Sequence, residues 1–348
     1  IGIASYADSK QATVICTNGI ILPSLIDAHN HVDWNILPKW KPGKYYQDRY
    51  EWRSDSAYKT FKKPYDNLGK TLKCEMIKWS ETRALISGTT SIFGTSNLSC
   101  SRNIIRNLEN GNAANHIQKD NIETKLDIET MSNTQAQSVS QGLTNESISA
   151  FVVHIGEGIN ESSRAEFDTL DSKGAFQKNT AIIHGTGGTA KEFCKMANRH
   201  SKLIWSPQSK IALYGDTTKV MIAKNLGVPI AIAPDWTPSG SINMLTEIKC
   251  LDFLNQTYYA KSFTDQNLVE MMTINPAIAM NVHDKIGQIK RGLEADILVI
   301  NGDRSFPFRT IVESDTTQIQ LVLLSGKGLF GELSLMERFA LNDFCEAI

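Results

Sequence analysis

The sequence predicts an α/β protein whose strands run parallel, in a sheet or closed barrel, with a small β unit drawn from both chain ends. Three observations carry that expectation. Apolar, β-branched stretches alternate with helix-like ones through most of the chain. A run of four apolar stretches ends, strand after strand, in polar residues suited to metal binding or catalysis. Past residue 285 short β-type runs sit between turn signals, and the first twenty residues have a similar texture.

The elements follow in order. Residues 20–26, IILPSLI, read as one strand rich in branched aliphatics, as a strand buried on both faces should be. It runs into DAHNH, which puts His29 and His31 at its C-terminal end, two residues apart and therefore on one face. Residues 34–65 interleave three tryptophans and five tyrosines with charges. Residues 70–87 read as a helix leading into the short strand GTTSIFG, and 101–110 read as another helix. The polar stretch 112–148 is expected to hold one or two strands, with NIETKLDI the candidate. The four apolar strands then come at 148–158 (ISAFVVHIGEG), 180–188 (TAIIHGTGG), 202–209 (KLIWSPQS) and 228–240 (VPIAIAPDWTPSG). Helix-like TAKEFCKMANRH and TTKVMIAKNLG separate the later ones. The β-type runs at 286–303 and 319–332 close the chain. The expected division is 1–22 and 285–335 for the small β unit, 23–284 for the central domain and 336–348 for a tail.

Composition narrows the function. The 348 residues are 41% hydrophobic and 21% charged, with a formal net charge of -1. That is an ordinary globular balance, with no electrostatic case for nucleic acid or an anionic membrane. No apolar run approaches the roughly 18 residues of a transmembrane helix. The six scattered cysteines are expected to be free thiols, which favours a reducing, cytoplasmic compartment. No signal peptide is visible; because the chain starts at Ile1 without methionine, a preceding piece is expected and the location stays open.

His29, His31, His154 and Asp235 form an N,N,N,O set suited to a borderline divalent cation such as Zn2+ or Fe2+. Each falls at a strand's C-terminal end, where α/β folds assemble their sites. Glu157, three residues after His154, is placed to act as general acid and base for an activated water. His184, at the next strand end, could orient that water or polarise a substrate. Singly, these residues read as a solvated loop carboxylate, a core histidine and, for Asp235, a helix cap. Jointly they read as a catalytic metal site.

Taken together, LIDAHNH, HIGEG, IIHG, SPQSKIALYG, APDW and IGQIKRGLEADILVI resemble the amidohydrolase superfamily, in its deaminase and chlorohydrolase-like branch. The resemblance covers nearly the whole chain. It implies a (β/α)8 TIM-like barrel with a metal at its C-terminal mouth and a small β-sandwich formed from both ends. It implies His29, His31, His154 and Asp235 as ligands of one divalent metal, zinc foremost. It makes Glu157 the proton shuttle, His184 the residue that orients water or substrate, and Asp235 a proton acceptor as well as a ligand. Three positions bear on this pattern. Ser24 stands where the first motif usually has glycine. Lys210 replaces a frequent asparagine, which puts a substrate contact there in doubt. Lys125, in the possible fourth strand, reads as a surface lysine rather than a bridge between two metals.

The aromatic segment after the first barrel strand necessarily runs near the mouth. Trp34, Arg49, Trp52 and Arg53, with Trp236 beside Asp235, are the candidate substrate contacts, and Trp40 and Tyr50 lie in the same segment. Rings and arginine forks suit a planar, hydrogen-bonding or acidic molecule. The expected function is hydrolytic deamination of a nitrogen heterocycle. Hydrolysis of a cyclic amide, an imidazolone or a carbon–chlorine bond is the alternative on the same machinery, and a non-catalytic scaffold the rival of another class. The expected partner is a small-molecule substrate, with homo-oligomerisation possible.

Overall fold

The chain changes sheets at Ser24. The apolar run read as one strand is two, β1 (Ile20–Pro23) and β2 (Leu25–Asp27). Pro23 has no N–H to carry a ladder onward. The next two amides go to different partners, Ser24 N to Asp296 O at 3.0 Å and Leu25 N to Gly88 O at 2.9 Å. Buried and more exposed positions alternate along β1, whereas β2 is buried throughout. The computed structural model describes residues 15–94, 100, 104–109 and 121–339.

The barrel strands after β2 are β3 (Thr89–Ile92), β4 (Arg106–Asn107), β5 (Ile122–Lys125), β6 (Ala150–Ile155), β7 (Thr180–His184), β8 (Lys202–Trp205) and β9 (Ile230–Ile232). They pair in parallel as β2-β3-β4 and β5-β6-β7-β8-β9. A parallel bridge between Asn30 and Asp235 joins the ends of β9 and β2. Period-two alternation sorts the side chains. Phe151, Val153 and Ile155 of β6 join the larger core cluster, while Val152 joins a second that takes Ile26, Phe93, Leu108, Ala181, Ile183, Ile204, Ala231 and Ala233. That second cluster fills the barrel.

The helices between the strands include α1 (Arg49–Ser54), α2 (Ser56–Phe61), α3 (Lys63–Leu68), α4 (Lys73–Leu85), α5 (Asn133–Thr144), α6 (Glu161–Ser172), α7 (Ala190–Asn198), α8 (Pro207–Tyr214), α9 (Val220–Asn225) and α10 (Met244–Thr257). Side-chain caps start several of them, such as Asn160 on Ser163 N, Thr189 with Glu192 in a capping box, and Asn243 on Thr246 N. Among the described residues no helix is long and apolar enough to cross a membrane. The small unit is an antiparallel sheet, β1-β10-β11-β12, with β10 at Ile297–Ile300, β11 at Ile319–Leu324 and β12 at Lys327–Gly331. Both chain ends build it, as expected. Arg106 of β4 is buried in an ion pair with Asp296 just before β10, which ties barrel to sheet.

Two expectations are corrected. Residues 104–109 hold the strand β4 rather than a helix, and the remainder of that stretch lies outside the described residues. Its N-terminal part is apolar enough for either form, and pairing with β3 decides it. The cysteines are not all free, because Cys74 and Cys100 form a disulfide. They lie 26 residues apart with Cα atoms at 4.7 Å, a proximity that scattered spacing could not reveal. Cys16, Cys194 and Cys250 are free, and Cys345 lies outside the described residues. With that bond, the cysteine argument for a reducing compartment falls away.

Candidate active site

β2 ends at Asp27, two residues short of His29, so cross-links hold the histidines in place. Asp27 Oδ1 accepts His29 N at 3.2 Å, Asn30 N donates to Phe93 O at 2.8 Å, and His31 N donates to Asp235 O at 2.8 Å. Gly94 packs so tightly on the Asn30 backbone that a Cβ there would overlap its carbonyl. His154 follows the inward-facing Val152 on β6, and Asp235 follows the inward-facing Ala233 beyond β9. His184 has the opposite parity, that of Ile182. His184 and Asp235 both adopt left-handed backbone, with φ of 76° and 69°. Such conformations cost about 1–3 kcal/mol each, and they cluster where side chains are aimed for function.

The side chains converge. Ring centroids lie 4.7 Å apart for His29 and His154, and 5.1 Å apart for His29 and His31, His29 and His184, and His154 and His184. His29 Nε2 is 3.1 Å and His31 Nε2 3.6 Å from Asp235 Oδ1, and His184 Nε2 is 3.5 Å from Glu157 Oε2. Three overlapping groups have donor atoms within 4.8 Å of one another: His29, His154 and His184; His29, His31 and Asp235; Glu157, His184 and Asp235. This nitrogen and oxygen set suits a divalent metal. Burial and the neighbouring histidines hold His154 well below the ordinary range, and burial with Lys210 does the same for His184. Neutral rings are what a cation needs as ligands.

Glu157 is reached through a glycine turn. Gly156 has φ of 69°, and at Gly158 a Cβ would meet the Gln47 carbonyl at 2.5 Å. The aromatic segment is stitched on here, with Ile159 N on Gln47 O at 2.8 Å and Arg49 N on Glu157 O at 3.1 Å. Burial, the largest single influence, would raise the Glu157 carboxyl, but the Lys210 ammonium together with Arg49 and Arg53 brings it down to about 2. The same lysine, aided by His29, holds Asp235 well below the usual carboxylate range against burial.

A cavity of about 280 Å³ opens beside these groups, lined by His31, Glu157, Asp235, Trp34, Trp52, Arg53, Tyr58, Lys62, Leu126 and Trp236. Four of the five candidate substrate contacts therefore face it: Trp34, Trp52, Arg53 and Trp236. Arg49 does not. It is fully buried, with Nη2 2.8 Å from Glu166 and Nε 3.2 Å from Asp127, and it braces the Glu157 turn from behind. Trp40 is packed with Tyr46 and Phe61 inside the aromatic cluster, and Tyr50 bonds Glu166. Lys125 reaches Thr130 O at 3.4 Å, away from the histidines. Sequence reasoning missed Tyr58 and Lys62, whose spacing of four on neighbouring helical turns was the available signal. It also missed Tyr214 and Ser209, whose hydroxyls donate to Glu157 and Asp235.

A parallel barrel with a histidine and carboxylate donor set at its C-terminal mouth defines the metal-dependent TIM-barrel class. Residues 110–328 match the amidohydrolase family, and the chain belongs to it. The chain is 26% identical over 167 residues to 5-methylthioadenosine/S-adenosylhomocysteine deaminase of Clostridium tetani, a match covering 45% of this chain and 39% of that protein. Several curated relatives are matched over less than half their length in this way. A longer match, 24% identical over 325 residues, covers 82% of this chain and 74% of 5'-deoxyadenosine deaminase of Methanosphaera stadtmanae. The fold is similar to that of a zinc-bound adenosine deaminase from Xanthomonas campestris, with a TM-score of 0.74 and 15% identity over 93% of this chain and 83% of that one.

Proposed function

We propose that this chain is a zinc-dependent amidohydrolase that replaces the exocyclic amine of a nitrogen heterocycle with oxygen, consuming water and releasing ammonia. The observation that carries the reading is His154. It is buried at the barrel mouth, yet neither ring nitrogen has a hydrogen-bond partner. A buried imidazole with both nitrogens orphaned carries a desolvation penalty that a bound cation relieves. His29, His31, His154 and Asp235 would hold that cation, with His184 beside them. When bound there, a divalent cation supplies water activated as a nucleophile at neutral pH.

The chain's own groups do the rest. Glu157 starts as a carboxylate, because Lys210 keeps it ionised, so its first act is to accept a proton from the attacking water. It then delivers that proton to the ring nitrogen, the water's second proton passes by way of Asp235 or Glu157 to the amine, and ammonia leaves as the carbonyl forms. His184, 3.5 Å from Glu157 Oε2, orients the water or the developing oxygen. Trp34, Trp52, Tyr58 and Trp236 wall the cavity with ring faces and edges, which suits a planar heterocycle. Arg53 and Lys62 at the rim supply donors for its substituents.

The test is ammonia release from a panel of aminated purines, purine nucleosides, pyrimidines, pterins and triazines, with Glu157→Gln in parallel. Turnover on at least one member, falling about 10²–10⁴-fold in the variant, is the expected result. Inactivity across the panel, with turnover of cyclic amides or chlorinated heterocycles instead, would overturn the deaminase reading. Elemental analysis of the same protein distinguishes zinc from iron.

A further inference from the structure

Lys210 is fully buried, outside the residues that line the cavity, and so placed that substrate binding does not explain it. Its Nζ lies 2.9 Å from Glu157 Oε1 and 3.2 Å from Asp235 Oδ2. One cation therefore bridges two carboxylates that come from the ends of different barrel strands. The surroundings complete the clamp. Tyr214, four residues on and so on the same face of α8, donates its hydroxyl to Glu157 Oε1 at 3.1 Å and sets its ring 5.5 Å from the ammonium. Ser209 Oγ donates to Asp235 Oδ2 at 2.7 Å. Trp52, from the aromatic segment, donates Nε1–H to the Tyr214 oxygen at 3.0 Å.

The division of oxygens is what matters. Oε1 of Glu157 and Oδ2 of Asp235 are each taken by two donors. Oδ1 of Asp235 faces His29 and His31, and Oε2 of Glu157 faces His184. Each carboxylate thus turns one oxygen to the lysine clamp and the other to the histidines.

We propose that Lys210 is a resident counter-cation and positioning residue, which fixes Glu157 and Asp235 from beneath and weakens the hold of the same site on a divalent metal. It rests on the metal-site reading above. Two consequences separate this role from simple packing. A fixed positive charge beside the ligand set repels an incoming dication, and the effect is strong where little water screens it. Removing the charge while keeping the volume therefore tightens metal binding. A residue that merely supported the fold would loosen it on removal.

The experiment is competition calorimetry of Zn2+ with metal-stripped wild type, Lys210→Met and Lys210→Gln at pH 8, where the carboxylates are ionised. The neutral variants should bind zinc about tenfold tighter or more, and the second variant serves if the first fails to fold. With an active substrate in hand, kcat per bound metal should fall while KM holds. Zinc affinity that is unchanged or weakened in the folded neutral variants would overturn the proposal. The calorimetry needs no substrate, so a chain inactive on every heterocycle still tests Lys210. A wild type that takes up no zinc overturns the metal-site reading and this inference together.

Discussion

Lys202 shows what a single side chain does to stability as pH changes. It starts β8 at the end of the barrel opposite the site, donating to Lys178 O and to Asn179 Oδ1 at 3.3 Å. Burial, and then the neighbouring Lys178, bring its amine down from 10.5 to about 8. The folded state thus releases this proton at lower pH than the unfolded chain does. Between pH 8 and 10.5 the unfolded state binds more protons, so stability from this group rises with pH and is lost as pH falls through 8. The full swing is on the order of 3 kcal/mol. In urea melts at pH 7.5, 8.5 and 9.5, wild type should gain stability relative to Lys202→Met as pH rises. A stability difference that stays flat over that range would show that this amine is not depressed.

At the scale of elements, the aromatic segment and its anchors decide the shape of the mouth. Trp40, Tyr46, Trp52, Tyr58, Leu213, Tyr214 and Trp236 form one cluster, so α1 and α2 are packed onto α8 and the turn after β9. Asp48 caps α1 and pairs with Gly158, which brings that helix to the Glu157 turn. Behind the mouth, α4 packs on the short 3₁₀ turn Val32–Ile36 that follows His29 and His31, and the Cys74–Cys100 disulfide fastens its first turn. Closing a loop of that length stabilises by roughly 3 kcal/mol through the unfolded chain. The double variant Cys74→Ser/Cys100→Ser should therefore melt lower than wild type, and dithiothreitol should shift wild type but not the variant. Equal melting with and without reductant would count against the bond.

At the scale of the whole molecule, the donor set links metal to stability. Four histidines and two carboxylates from β2, β6, β7 and β9 meet at one end of the barrel, and this arrangement exists only when the barrel is closed. A cation that binds the folded state alone stabilises it, by roughly 2.7 kcal/mol at a hundred times its Kd. Stripping with dipicolinate should lower Tm by a few degrees. Zinc should restore it in wild type and not in His29→Ala. A Tm indifferent to zinc would mean that these residues hold no metal.

Legibility follows the range of the physics involved. Strands β6 to β9 were readable because their apolar runs are local and strongly patterned, and their polar end residues were readable for the same reason. The pairing of the chain ends was visible in their common β texture. The strand β4 was not, because two paired residues leave too little pattern. The disulfide, the withdrawal of Arg49 behind the mouth, and the Lys210 clamp were not, because each depends on residues distant in sequence. Residue order alone shows which residues could ligate a cation and that each stands at or just past a strand end, since side-chain chemistry and period-two alternation are local properties. Which of them meet, which arginine turns away from the cavity and where the buried lysine stands emerge only in the folded chain. Those outcomes are set by barrel closure and by desolvation, which act between residues that the chain order keeps apart.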